Sequence, residues 1–201
     1  MTGFALQHPF LAIIFTAIIS ENIALYYFLG ICPLISISSD FKTSWQMGVT
    51  VTMVMTLTVA MNWLIFNYLL KPNKIEFLQL LFFILTIAAV VQLLESFLDR
   101  FFPAVYKVFG IFLPLITVNC AILGVSMFAI LREYDLTGSI VYATGCGIGW
   151  TLVICSVSSL RRRLHTDAIP QELGKIGITM IIAAVMALAF SGISELQLPG
   201  R

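Results

Sequence analysis

Charge is what this sequence has least of. Of its 201 residues only 10% are Asp, Glu, Lys or Arg, while 60% are hydrophobic. A soluble domain carries roughly 25% charged residues, so the chain is read as an integral membrane protein whose first partner is lipid. A net charge of +1 excludes the strong basic field that nucleic acid demands, and no nucleic-acid partner is expected. Histidine is nearly missing. His8 and His165 lie at the edges of apolar runs, and neither has a second metal ligand at helical spacing. No Ser/His/Asp set, phosphate loop or quinone signature is identifiable. No polar stretch is long enough for a soluble domain, which excludes a nucleotide-binding or flavin fold within the chain. The N-terminus lacks a basic n-region and a small-residue cleavage site, so its first apolar run is read as a retained span.

What the sequence does have is apolar runs. A bilayer core of about 30 Å takes about 20 apolar residues of helix. Six runs qualify: residues 9–37, 47–70, 77–98, 105–131, 136–160 and 173–196. Turn and charge signals separate them: Ser38-Ser39-Asp40, Lys71-Pro72-Asn73, Asp99-Arg100 through Pro103, Arg132-Glu133-Tyr134-Asp135, and Arg161 through Pro170. The odd loops hold Lys42, Arg100, Lys107, Arg161, Arg162, Arg163 and Lys175; the opposite side holds Lys71, Lys74, Arg132 and Arg201. Basic residues favour the cytoplasmic side, which puts the odd loops inside and both termini outside. Trp45, Tyr68, Tyr106 and Tyr134 near span ends read as an aromatic belt.

The two halves resemble each other. Ile19-Ser20-Glu21-Asn22-Ile23-Ala24-Leu25 parallels Ile116-Thr117-Val118-Asn119-Cys120-Ala121-Ile122, and Ile87-Ala88-Ala89-Val90 parallels Ile182-Ala183-Ala184-Val185, at offsets of 97 and 95 residues. Three spans per copy place the second copy upside down. The expected fold is therefore an all-α integral membrane protein, one domain over 1–201. It has six transmembrane helices as a three-plus-three inverted repeat, approximately 9–100 and 105–197, with spans one and four broken and sites near the midplane.

Two cysteines sit beside helix breakers in corresponding places of the two halves: Gly30-Ile31-Cys32-Pro33, and Pro114 through Asn119-Cys120 with Gly124 beyond. Pro114 cannot donate to the Gly110 carbonyl, and Gly30 and Pro33 act likewise on span one. Backbone freed at membrane depth survives only where protein buries it or a cavity receives it. Free cysteine often serves as a small core residue; the sharper reading is a soft-metal site. Tetrahedral thiolate sites suit iron–sulfur centres or zinc, and a membrane interior favours electron transfer over structural zinc. Two thiolates fill half of a four-thiolate site, so a partner must supply the rest. Cys146 and Cys155, nine residues apart on span five, point to different faces and read as packing. Gly145-Cys146-Gly147-Ile148-Gly149 resembles a nucleotide loop only superficially; inside a span it reads as close helix packing. Among the acids, Glu21 lies deep in span one beside Asn22, and Glu95 lies about a turn inside the cytoplasmic end of span three. Both are candidates for a sodium path, since charge at depth defaults to function. For Glu95 the competing reading is snorkelling or pairing with a basic loop residue. Asp99 reads as an interfacial partner of Arg100, and Glu195 as a solvated span end.

The run Leu98-Asp99-Arg100-Phe101-Phe102-Pro103, then Gly110 through Leu113-Pro114-Leu115-Ile116-Thr117-Val118-Asn119-Cys120-Ala121-Ile122, resembles the E subunits of the sodium-translocating NADH:quinone reductases. So does Glu21-Asn22-Ile23-Ala24-Leu25 followed by Phe28-Leu29-Gly30-Ile31-Cys32, and the likeness continues through Gly147-Ile148-Gly149-Trp150. The A subunit of the related Rnf complex, which oxidises ferredoxin, shares the pattern. Thr117-Val118-Asn119-Cys120 and the Asp-Arg-Phe-Phe-Pro run favour the quinone reductase; Cys32-Pro33 leans the other way. The resemblance implies a partner, the homologous D subunit of opposite topology. It also implies an iron–sulfur centre of the 2Fe-2S type held jointly by the pair; thiolate count alone leaves a single iron open. Cys32 and Cys120 match the cofactor and metal positions, with Asn22 and Asn119 behind them. Flavins, NADH and quinone would be bound by other subunits of the six-subunit complex, whose electron flow is coupled to sodium export. The rival readings are a stand-alone inverted-repeat cation transporter and a purely structural subunit.

Overall fold

The computed structural model describes residues 9–37, 40–101, 116–163 and 174–197, and all regular structure among them is helical. In chain order α1 is Pro9–Phe15, α2 Ile31–Ile37, α3 Phe41–Ile65, α4 Gln79–Phe101, α5 Cys120–Leu131, α6 Leu136–Arg163 and α7 Gly174–Gln197. A π-helical turn, Thr16–Ser20, extends α1; another, Phe66–Leu70, and the short helix Lys71–Asn73 extend α3. The helices follow from the solvent. Backbone groups in hydrocarbon must find partners within the segment, and a helix provides them. Threonines that would weaken a helix in water are absorbed: Thr50, Thr52, Thr56, Thr86, Thr144 and Thr151 each donate the hydroxyl to the carbonyl four residues back.

Among the described residues three helical stretches are long and apolar enough to cross a membrane, Phe41–Asn73, Gln79–Phe97 and Leu136–Arg163; Cys120–Leu131 and Ile176–Gly192 are shorter apolar helices. Spans two, three and five of the sequence analysis thus appear as helices long enough to cross, span six as the helix α7 with a shorter apolar stretch, and α3 begins earlier than expected, taking in Lys42 and Trp45. Span one is broken, as expected, but differently: the non-helical stretch is residues 21–30. Pro33 does not make the break. It lies in the first turn of α2, where its missing N–H costs nothing. Of span four, residues 116–131 are described, with the helix beginning at Cys120 after a non-helical Asn119. Pro114, Pro103, Gly110, Lys107 and Tyr106 lie outside the described residues, as do His8, His165, Pro170 and Arg201.

α6 is the central helix: 61% of its most apolar stretch is buried, against 33% for α3 and 28% for α4. Its small residues admit neighbours on two sides. Gly145 and Gly149 touch Ala17, Ile14, Ile18 and Asn22, while Gly147 faces Thr52 of α3. The glycine run is therefore a packing surface, as its position in a span suggests. The α3–α6 crossing is reciprocal. A Cβ at Gly48 would lie 2.3 Å from Thr151, a Cβ at Gly147 would lie 2.7 Å from Thr52, and the two threonine hydroxyls meet at 3.2 Å. Both pairs read Gly-x-x-x-Thr at a common offset of 99 residues.

Side-chain bonds show which ends lie together. Arg161 near the end of α6 donates to the Ile35 carbonyl near the end of α2, at 3.4 Å. At the other end Trp63 Nε1 donates to the Tyr134 carbonyl at 3.0 Å. The end of span one and the end of span five thus share one face. Of the expected belt residues, Trp45 and Tyr68 are exposed. Tyr134 instead packs inward, its ring 5.5 Å from that of Tyr142.

Candidate functional site

The breaks of spans one and four meet each other. Phe28 and Gly30 both have positive φ, 54° and 79°, and these left-handed residues interrupt the helix before α2. Gly30 is required there twice over. Its φ suits glycine, and a Cβ would lie 2.6 Å from Trp150 Nε1, 3.1 Å from Ala121 and 3.3 Å from Asn119 Oδ1. Its backbone is fully used. The N–H donates to Cys120 Sγ at 3.0 Å, and the carbonyl accepts from Trp150 Nε1 at 3.3 Å. Trp150 is completely buried on α6, so α6 fixes the peptide that in turn touches the thiol.

The asparagines shape both breaks. Asn22 Oδ1 accepts the Ala24 N–H at 3.0 Å, and Asn119 Oδ1 accepts the Ala121 N–H at 3.0 Å. A side-chain acceptor two residues back competes with the helical ladder, which is how asparagine ends or starts a helix. Tyr26 N–H to the Asn22 carbonyl and Leu29 N–H to the Ile23 carbonyl close the rest of the first break. Leu29 packs over Gly124, and Tyr27 stacks on Phe128 with centroids 4.6 Å apart.

The thiols differ in setting. Cys32 is exposed and Cys120 half-buried, whereas Cys146 is buried and Cys155 half-buried. Registered on Asn22 and Asn119, Cys120 corresponds to Ile23 and Cys32 to Ala129. The cysteines therefore share the broken spans but not the repeat register, a correction to the simple correspondence. Among the described residues no three His, Cys, Asp or Glu side chains come together as a metal set. Two accessible thiols beside joined breaks, one already accepting an N–H, fit half of a centre completed from outside the chain. Cys146, enclosed in the core, does not fit such a shared site.

Glu21 is not alone at depth. Its carboxylate pairs with the Arg132 guanidinium, and Arg132 also lies over the Tyr142 ring at 5.3 Å. Sequence reading places Arg132 in a loop and misses this pair. The rule that intramembrane charge is partnered is the signal that points to it. Glu95 is half-buried on α4, while Asp99 and Arg100 at the end of that helix are exposed. Trp150 stands out in the sequence only within a resemblance; its partner lies 120 residues away, and no local pattern points to it.

The sequence has relatives among known proteins. Residues 10–197 match the family described as Rnf-Nqr subunit, membrane protein. A protein of Nitrosomonas europaea, named as the E subunit of a Na(+)-translocating NADH-quinone reductase, is 44% identical over 193 residues, covering 91% of this chain and 96% of that one. A protein of Proteus mirabilis with the same name is 42% identical over 195 residues, covering 94% and 98%.

Proposed function

The chain belongs to the Rnf-Nqr family of membrane subunits, and from that premise we propose that it is the E subunit of a sodium-translocating NADH:quinone reductase, an electron-relay component of the complex. Cys32 and Cys120 hold half of an intramembrane iron–sulfur centre. The homologous D subunit, of opposite topology, gives the other thiolates. When bound, such a centre takes up and gives up single electrons between flavin-bearing subunits on the two faces. NADH, flavins and quinone are held by other subunits of the complex.

The observation that carries this reading is the Gly30 N–H on Cys120 Sγ at 3.0 Å. It joins the two breaks, with Cys32 exposed and Cys120 half-buried. A lone chain has no use for two open thiols in lipid, since burying them as thiolates is costly until metal neutralises them. Four thiolates normally hold an iron–sulfur centre, so the site falls on a subunit interface. The reciprocal Gly48–Thr151 and Gly147–Thr52 contacts support an inverted repeat with its axis at the Thr52–Thr151 pair. The shared face of the α2 and α6 ends supports the odd loops lying together, on the cytoplasmic side of the inner membrane, with both termini periplasmic. Sodium enters near Glu95 at the cytoplasmic mouth. Glu21 contributes to that path only when its pair with Arg132 opens.

Four single variants test the assignment in the assembled complex. Cys32→Ser and Cys120→Ser remove iron and stop internal electron transfer to quinone, while Cys146→Ser and Cys155→Ser are close to silent. Iron content and flavin-reduction kinetics are the measurements. Full iron and normal kinetics in Cys120→Ser would end the assignment, and equal damage from all four would mean the wrong pair has been chosen.

A further inference from the structure

The two breaks contain an internal comparison. Asn22 and Asn119 begin alike, each with its side-chain oxygen on the N–H two residues ahead, and each is buried, 2% and 3% exposed. They differ at the other end of the amide. Asn22 Nδ2 donates to the Ile18 carbonyl at 3.0 Å. Asn119 Nδ2 is buried and has no hydrogen-bond partner among the described residues. The Ala121 N–H identifies the oxygen, so the unpaired end is the nitrogen. A buried donor left without an acceptor is costly. The next residue differs too: Ile23 follows the first asparagine and Cys120 the second. Where no thiol follows, the amide is consumed inside the chain. Where a thiol follows, the donor is kept.

We infer that Asn119 is a positioning residue for the sulfur centre: its Nδ2–H donates to a sulfur of the group held at Cys120 and, together with the Gly30 N–H, sets how readily that group is reduced. The inference rests on the Cys32–Cys120 reading above. Its chemistry is general. Iron-bound sulfurs are hydrogen-bond acceptors, and each N–H directed at them stabilises the more negative, reduced state and raises the potential. One such donor is already in place, the Gly30 N–H at 3.0 Å from Cys120 Sγ. Asn119 borders the same glycine, with Oδ1 3.3 Å from where a Gly30 Cβ would be.

Asn119→Ser separates capping from donation. A serine oxygen keeps the cap on α5, removes the amide donor and adds no charge. Asn22→Ser makes the same change in the break that lacks a thiol. Both are compared with the unaltered protein in the assembled complex, by iron content and by the midpoint potential of the centre in an EPR-monitored titration. The expected result is full iron in both. In Asn119→Ser the oxidised-to-reduced equilibrium moves by about tenfold toward the oxidised form, a fall of about 59 mV for one electron, and in Asn22→Ser it does not move. Should Asn119→Ser fail to assemble, Asn119→Thr keeps a capping oxygen without adding charge, and the potential must fall there. An unchanged potential with full iron, or iron loss in both Asn119 variants, reduces the residue to a cap and overturns the inference. Full iron in Cys120→Ser would instead sink the reading beneath it.

Discussion

Gly30→Ala adds one methyl group at the point where four elements converge, and its effect can be worked out contact by contact. The backbone there has φ +79°, which costs an alanine about 1–2 kcal/mol. The new Cβ would stand 2.6 Å from Trp150 Nε1, well inside contact distance of a side chain that is wholly buried. Relief requires moving the indole or the break, an overpacking penalty of about 1–3 kcal/mol. Either movement lengthens the Trp150–Gly30 and Gly30–Cys120 bonds, about 1 kcal/mol each. The sum is on the order of 4–7 kcal/mol, enough to lower the thermal midpoint of a chain this size by on the order of 10–20 °C. Two other glycines calibrate the result. At Gly124 the nearest atom is the Leu29 Cδ1 tip at 2.5 Å, which can swing aside, and at Gly192 nothing lies within 4 Å. Melting of the purified complex and its iron content should rank Gly30→Ala far below Gly124→Ala, with Gly192→Ala unchanged. Gly30→Ala melting and loading iron like Gly192→Ala would refute the convergence of the breaks on this residue.

The remaining predictions concern charge. Glu95→Ala should weaken the sodium dependence of turnover with iron content normal, and Glu95→Asp should be milder; an unchanged sodium activation curve returns Glu95 to snorkelling. Arg132→Ala leaves the Glu21 carboxylate without its cation and should destabilise the complex more than the Glu21→Ala, Arg132→Ala double variant does. Thermal midpoints that simply add across that cycle would mean the pair carries no coupling. Reporter fusions after residue 197 should behave as periplasmic and those between residues 161 and 165 as cytoplasmic, and a cytoplasmic C-terminus would reverse the proposed orientation.

Much of this architecture is legible from composition and spacing, and the parts that are not have physical reasons. The long helices α3, α4, α6 and α7 follow from apolar length, because hydrocarbon leaves the backbone little else to do. The thiols and the glycine beside Cys32 stand out because breakers inside apolar runs are unusual. What misleads is the assignment of the break to Pro33. Proline ends helices when it falls late in them, yet here it opens one, and the disruption belongs to Asn22, Phe28 and Gly30. Phe28 gives no local warning of a left-handed conformation. The Trp150–Gly30 bond and the Glu21–Arg132 pair join residues more than 100 positions apart. Such contacts are set by how helices cross, which periodicity within one span does not encode.

The break in span one gives Cys120 a second role, as a hydrogen-bond acceptor. A break at membrane depth must dispose of backbone groups that the helix no longer serves. Ala24, Tyr26 and Leu29 N–H groups find oxygen within the break, and the Gly30 N–H donates to Cys120 Sγ. Neutral sulfur is a weak acceptor, so this is the least secure bond of the set. A sulfur that has become a metal-bound thiolate accepts more strongly, since charge on the acceptor strengthens the bond. On the proposed reading, the bond that closes the break would be the one that strengthens if metal took the sulfur, and folding of the two breaks would be linked to filling of the site.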